Sequence, residues 1–150
     1  MSQIADITVF DGATTPVSHT LKAMSVTREG GKITAYWREN LATVPVDAQM
    51  SLTLTIEKLK SGVYRTERTV MVPYMESIAG SNTSGYTAAP KVARMDKDVR
   101  VQYTTGRADI NGRRLLRQLC NNLDGAITTS VVAVSSGAVP ELFDQLISPT

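Results

Sequence analysis

Apolar and polar residues alternate along most of the first two thirds of the chain, and this two-residue period predicts β-strands. The segment SLTLTIEKLKSGVYRTERTVMVP, residues 51–73, shows it most clearly. Leu52, Leu54 and Ile56 share one side of its first run, and Val70 and Val72 one side of its second. Ser61-Gly62 supplies the turn between them. The opposite sides carry Ser51, Thr53, Thr55 and Glu57, then Arg65, Glu67 and Thr69. Upstream, ITVF within 4–10 and SHTLKAMSV at 18–26 flank the turn-rich DGATTP and predict an N-terminal hairpin. KITAYWRE (32–39) alternates again after Gly30-Gly31, while Pro45 marks 41–49 as a loop or irregular edge. Residues 74–90, small and polar, read as a long exposed loop. The last strand, 93–105, sets Val99, Val101 and Tyr103 on one side and Asp98, Arg100 and Gln102 on the other.

After residue 105 the period lengthens. In RADINGRRLLRQLCNNL (107–123) Leu115, Leu116, Leu119, Cys120 and Leu123 fall on one helical stripe. Thr105 or Asp109 can cap its start, and Asp124-Gly125 ends it. Arg113, Arg114 and Arg117 ride the opposite side, which reads as a solvated outer face. Segment 126–138 fits a strand or a loop, and PELFDQLI (140–147) is a short amphipathic helix with Pro140 in its first turn. The order predicts an α+β fold: an N-terminal β-hairpin and a five-stranded antiparallel sheet, then two C-terminal helices on one sheet face. One domain spans 1–150, with the hairpin and sheet in 1–105 and the helical region in 106–150. Five strands about nine residues long make a face of about 24 by 30 Å. Two helices ~10 Å wide cover around half of one such face. The other face is left for solvent or a partner, and its Thr, Arg, Glu and Gln suit a wet contact.

Composition narrows the chemistry. A net charge of +2 is too mild to mark a nucleic-acid binder by itself, but fields add when many copies align one face. A single cysteine, Cys120, excludes an intrachain disulfide and a cysteine metal cluster. No basic leader or membrane-length apolar run is present, so a reducing, cytoplasm-like setting is expected. His19 is the only histidine, read as a surface or half-buried residue, and Cys120 on the apolar stripe reads as an inert thiol. Phosphate loops, zinc spacings and nucleophile elbows are missing, which argues against an enzyme. No cofactor or metal is expected. Basic residues are more suggestive. Arg65, Arg94 and Arg100 have the polar parity on their strands, and Lys58, Lys60 and Arg68 cluster near the 51–73 hairpin. They suit phosphate contacts beside base-reading hydroxyls, or simply a solvated face.

The C-terminal stretch VRVQYTTGRADINGRRLLRQLCNNL, followed by PELFDQLISPT, resembles the end of the coat proteins of the small single-stranded RNA bacteriophages, the leviviruses. There a last strand of the QYST type runs into a Leu-rich helix, and a short helix of the IDQLNP type closes the chain. SLTLTIEKL resembles that family's VTVSV-type strand, whose Thr and Ser look at RNA. The resemblance implies an intertwined, obligate homodimer that assembles into an icosahedral shell around genomic RNA. It implies residence in the virion after assembly in the bacterial cytoplasm. A second implied role is repression of the replicase message through an RNA hairpin operator.

By the same resemblance, Thr53 and Thr55 match a pair that contacts unpaired bases, with Arg65, Glu67 and Thr69 on the neighbouring strand. Arg100 and Asp98 fall where the last strand offers polar groups near a stacked base, and Lys58 joins the RNA-binding set. Leu115, Leu116, Leu119, Leu142 and Phe143 are the expected dimer interface, and residues 75–89 the loop near the symmetry axes. The chain departs from the pattern in the acidic Glu57, Glu67, Asp96 and Asp98. It also lacks a clear counterpart of the stacking aromatic among Tyr64, Tyr74 and Tyr86. The alternative, a cellular sheet-face RNA-binding module, would show stacked aromatics on adjacent strands, and aromatic content is only 5%.

Overall fold

The computed structural model describes residues 3–76, 80, 83–85 and 91–150. Tyr86 and most of the 75–89 loop therefore lie outside the described residues. Six antiparallel strands form one sheet in chain order: β1 (Ile7–Phe10), β2 (Ser18–Glu29), β3 (Lys32–Glu39), β4 (Ser51–Lys58), β5 (Val63–Met75) and β6 (Val92–Thr105). The N-terminal hairpin is part of this sheet: β2 pairs with β3 and carries β1 outward as the edge. β2 turns into β3 through Gly30 and Gly31 at φ 54° and 86°. A two-residue hairpin with both φ values positive matches strand twist, and only glycine adopts it without strain.

One face of this sheet is core. Register pairs Ile33 with Ile56, Ala35 with Leu54 and Trp37 with Leu52, so strict alternation delivers all of them to the same side. Leu142 and Phe143 from the C-terminal segment close over them, and Trp37, Leu54, Leu142 and Phe143 are essentially fully buried. Segment 126–137 is irregular. Then α2 (Ala138–Pro140) continues as a π-helical turn, Glu141–Gln145, ended by Leu146 at φ 57°. The Trp37 indole N–H donates to the Ala5 carbonyl at 2.8 Å, and the Ile4 amide to the Thr150 carbonyl at 2.8 Å. Both chain ends are thereby tied to the core side.

The long helix α1 (Ile110–Asp124) starts where Asp109 accepts from the Gly112 amide at 2.7 Å. Asp109→Ala should lower thermal stability by about 0.5–2 kcal/mol through the lost cap, readable as a shifted melting midpoint. Its orientation corrects the expected solvated arginine face. Arg113 and Arg117 are 7% and 5% exposed, whereas Leu115, Leu116, Leu119 and Leu123 are 67, 45, 56 and 71% exposed. The arginines turn inward because Asp144, fully buried on the π-helical turn, draws them. The Arg117 guanidinium donates to both of its carboxylate oxygens, at 2.8 and 2.9 Å. Arg113 donates to its backbone carbonyl at 2.6 Å. So Leu142 and Phe143, expected at a dimer interface, are this chain's own core, and α1 reaches the sheet chiefly through the turn that carries them.

Candidate nucleic-acid interface

The second face of the sheet is open except at one end, where the β3–β4 connection, with a 3-10 turn at Val46–Ala48, flanks it. Strand register sorts its side chains into rows running across the sheet. One row reads Ser25, Tyr36, Thr53, Thr69 and Val99; the next Thr27, Thr34, Thr55, Glu67 and Val101. A third reads Glu29, Lys32, Glu57, Arg65 and Tyr103. Thr53, Thr55, Arg65 and Thr69 are thus brought together on this face, as the alternation of β4 and β5 predicts.

Two members of the expected set are not. Register opposes Arg100 to Arg68 on the helical side, where its guanidinium donates to Asn121 Oδ1 at 2.6 Å and to the Arg117 carbonyl at 3.2 Å. Lys58 pairs with Tyr64, also on the helical side, its ammonium 5.6 Å from the ring centre. The cause on β6 is a reversed polarity. Its polar parity (Asp96, Asp98, Arg100, Gln102) faces α1 and the C-terminal turn, and its apolar parity (Val99, Val101, Tyr103) faces the open side. Asp96 and Asp98 therefore leave the open face, and Arg68 takes Asp98 at 2.5 Å instead.

The remaining acids are compensated. Glu67 is paired with Arg65 and also accepts from the Thr69 hydroxyl at 3.1 Å. Desolvation pulls the Arg65 guanidinium downward in pKa, but its hydrogen bond to Tyr103 and the Glu67 charge outweigh this and raise it. Glu57 sits between Lys32 and Arg65 in its row. A chain of contacts, Tyr103 to Arg65 to Glu67 to Thr69, thus fixes side chains whose free rotation would otherwise be lost on binding. Lys32, Arg38, Arg65 and Lys97 are matched in number by Glu29, Glu57, Glu67 and Asp47, so the face is close to neutral with its cations spread across the rows.

Sequence reasoning missed Tyr36, Arg38, Lys97 and Tyr103 on this face. Tyr36 was within reach: in KITAYWRE, Trp37 claims the core side, which leaves Tyr36 opposite. Tyr64 and Tyr74 lie on the helical side, where Arg94 stacks over the Tyr74 ring at 4.3 Å. Tyr36, Arg38, Thr53, Met71 and Met95 line a shallow cleft of about 450 Å³ on the open face. His19 lies between two carboxylates: Nδ1 is 2.7 Å from Glu39 Oε1 and Nε2 3.7 Å from Asp11 Oδ2. Backbone donation from Val17 and Ala13 holds the Asp11 carboxyl below its ordinary pKa and orders the β1–β2 turn.

A family model described as levivirus coat protein matches residues 2–136. Among solved structures, the virus-like particle of bacteriophage EMS014 is similar at 27% identity, with 98% of this chain and 99% of that chain covered and a TM-score of 0.71. The bacteriophage EMS014 coat protein shares 31% identity over 88% of this chain and 81% of that one, at TM-score 0.65. The virus-like particle of bacteriophage ESE058, at 19% identity, 99% coverage of both chains and TM-score 0.68, shares the fold. No curated protein sequence matches.

Proposed function

Because the chain belongs to the levivirus coat protein family, a structural capsid component of the virion and not an enzyme, we propose that two copies join as an intertwined dimer and that the open sheet face binds single-stranded RNA inside the shell. The observation that carries the dimer is the leucine stripe of α1, exposed in a single chain beside the unpaired edge of β6. A 14-residue edge strand offers a row of unused backbone donors and acceptors, which a second copy of itself can fill. Completing the burial of each partly exposed leucine contributes roughly 1–2 kcal/mol, which favours an obligate association over an isolated chain.

For RNA, the support is a polar, preorganised face: threonines in the middle rows, of which Thr53 is half-buried and Thr55 and Thr69 are buried, lysines and arginines around them, and a shallow cleft beside Tyr36 roomy enough to admit a base. Thr53, Thr55, Thr69 and Arg65 contact bases and sugars, while Lys32, Arg38 and Lys97 contact phosphates. Recognition of a hairpin operator, and with it repression of the replicase message, is the finer part of this reading.

Expression of the chain alone in bacteria tests it. Particles tens of nanometres across that carry RNA are expected; a monomer without RNA would end the proposal. Thr53→Ala with Thr55→Ala should lower affinity for single-stranded RNA about tenfold, since two hydroxyl bonds at ~0.5–1.5 kcal/mol each are lost. The salt slope should stay as it was. Lys97→Ala should instead flatten that slope by about 0.7–0.9. Filter binding across a salt series separates the two effects.

A further inference from the structure

On the helical side of the sheet, away from the proposed RNA face, β5 and β6 set two arginines directly across from each other: Arg68 pairs with Arg100. Like charges in directly opposed positions destabilise a sheet, so this pair needs compensation. A third guanidinium, that of Arg117 on α1, joins them around a recess of about 60 Å³ completed by Asn121, Val139 and Phe143. The lining is three cations, one amide and two apolar side chains, without a carboxylate.

The acids nearby do not balance it. Asp98 holds Arg68 at 2.5 Å and Asp124 lies 3.7 Å from Arg100, but these carboxylates are 67 and 76% exposed, and water screens them. Asp144 is buried, and Arg117, at 2.8 Å, shares it with Arg114, at 3.5 Å. Arg100 is held by neutral acceptors, Asn121 Oδ1 at 2.6 Å and the Arg117 carbonyl at 3.2 Å. They fix its guanidinium without cancelling the charge.

Arg68 adds an independent sign. Its Nε is shielded from solvent and meets no acceptor among the described residues. A buried donor left unpaired costs free energy, and native structures satisfy nearly all of them. One water occupies ~10–15 Å³ of such space, so the recess has room for a few waters or for one tetrahedral oxyanion. Waters would satisfy the donor and leave the charge. An oxyanion does both, because guanidinium forks match its oxygens. A whole nucleotide is too large for the recess, which points to a free ion. We infer that this recess binds one inorganic oxyanion of phosphate size between Arg68, Arg100 and Arg117. Bound there, the ion ties α1 to β5 and β6, which α1 otherwise reaches chiefly through the C-terminal turn.

Melting in a phosphate series, with ionic strength held constant by chloride, tests the site. Each tenfold rise in phosphate above the dissociation constant should lift the wild-type midpoint by about 3–6 °C. Arg68→Gln should abolish that rise. In chloride alone it should melt no lower than wild type, because it relieves the opposed charges. Arg28→Gln, at an exposed arginine of β2, should keep the wild-type response. Phosphate also stabilises proteins by exclusion from their surfaces, but that acts on all three chains alike. Equal rises in all three, or no rise in wild type, would overturn the site.

Equilibrium dialysis against radiolabelled phosphate gives a second readout that needs no variant to fold. One ion per wild-type chain is expected, and none with Arg68→Gln. No bound ion in wild type, as when a side chain of a second copy fills the recess, would end the proposal. Excess adenosine monophosphate should leave the label in place; displacement would overturn the assignment to a free ion. All six lining residues belong to one chain, so the count is the same whether or not the chain assembles. An absent ion would in turn leave the capsid reading standing.

Discussion

Asp144→Ala is expected to strip the C-terminal cover from the sheet and abolish particle formation. Asp144 is fully buried, and its carboxylate takes the Arg117 fork at 2.8 and 2.9 Å with Arg114 at 3.5 Å. Removing one partner of a buried pair leaves the other charge without compensation, at a cost of about 3–5 kcal/mol. Against a typical folding stability of roughly 5–15 kcal/mol, that is a large share. The damage would spread, because Leu142 and Phe143 precede Asp144 on the same turn and close the core over Leu54 and Trp37. Asp144→Asn keeps the shape and should fall between wild type and alanine. Arg117→Met combined with Asp144→Leu removes both charges and should recover most of the loss, as matched apolar replacements of buried pairs do. Urea midpoints at one fixed protein concentration check the series, since an obligate dimer's stability moves with concentration. An unchanged midpoint for Asp144→Ala would show that the pair contributes nothing.

That cluster also explains where the sequence was readable and where it was not. β3, β4 and β5 alternate strictly, and Leu52, Leu54 and Ile56 meet apolar partners of the same chain, so period alone puts Thr53, Thr55, Arg65 and Thr69 on the face opposite the core, where the register has them. The order of strands, the Asp109 cap and the helix end at Gly125 were legible for the same reason: each is a local signal. α1 and β6 were misjudged in one way. Both carry an apolar side, and apolarity reads as inward when a single chain is imagined. Here inward is charged: Arg113 and Arg117 on α1 meet Asp144, and Arg100 on β6 meets Asn121 and the Arg117 carbonyl. Periodicity reports that a side is apolar, not which molecule covers it. The same limit hid Tyr103, which belongs to the open face because its strand is apolar there.

Leu119→Glu is expected to split the dimer while leaving the chain folded. Leu119 is 56% exposed in the single chain and lies mid-stripe, between Leu115 and Leu123. Glutamate and leucine have similar helix propensity, so α1 itself should form as before. Association is different, because two-fold symmetry places the substitution in the interface twice. Leu119 is already partly covered in the single chain, so about 0.8–1.7 kcal/mol of burial is lost at each copy and the dimer weakens by about 1.7–3.4 kcal/mol, or roughly twenty- to three-hundredfold. Desolvating the new carboxylates adds to that. Leu119→Met, which conserves volume, should keep the dimer and the particles. Leu41→Glu, 47% exposed on the β3–β4 connection, replaces a leucine of similar exposure away from α1 and should also be silent. Sedimentation of the three variants, with circular dichroism to verify folding, distinguishes the outcomes. If Leu119→Glu chains sediment as wild-type dimers and build particles in normal yield, the stripe does not face a second copy, and the case for an obligate dimer would rest on the β6 edge alone.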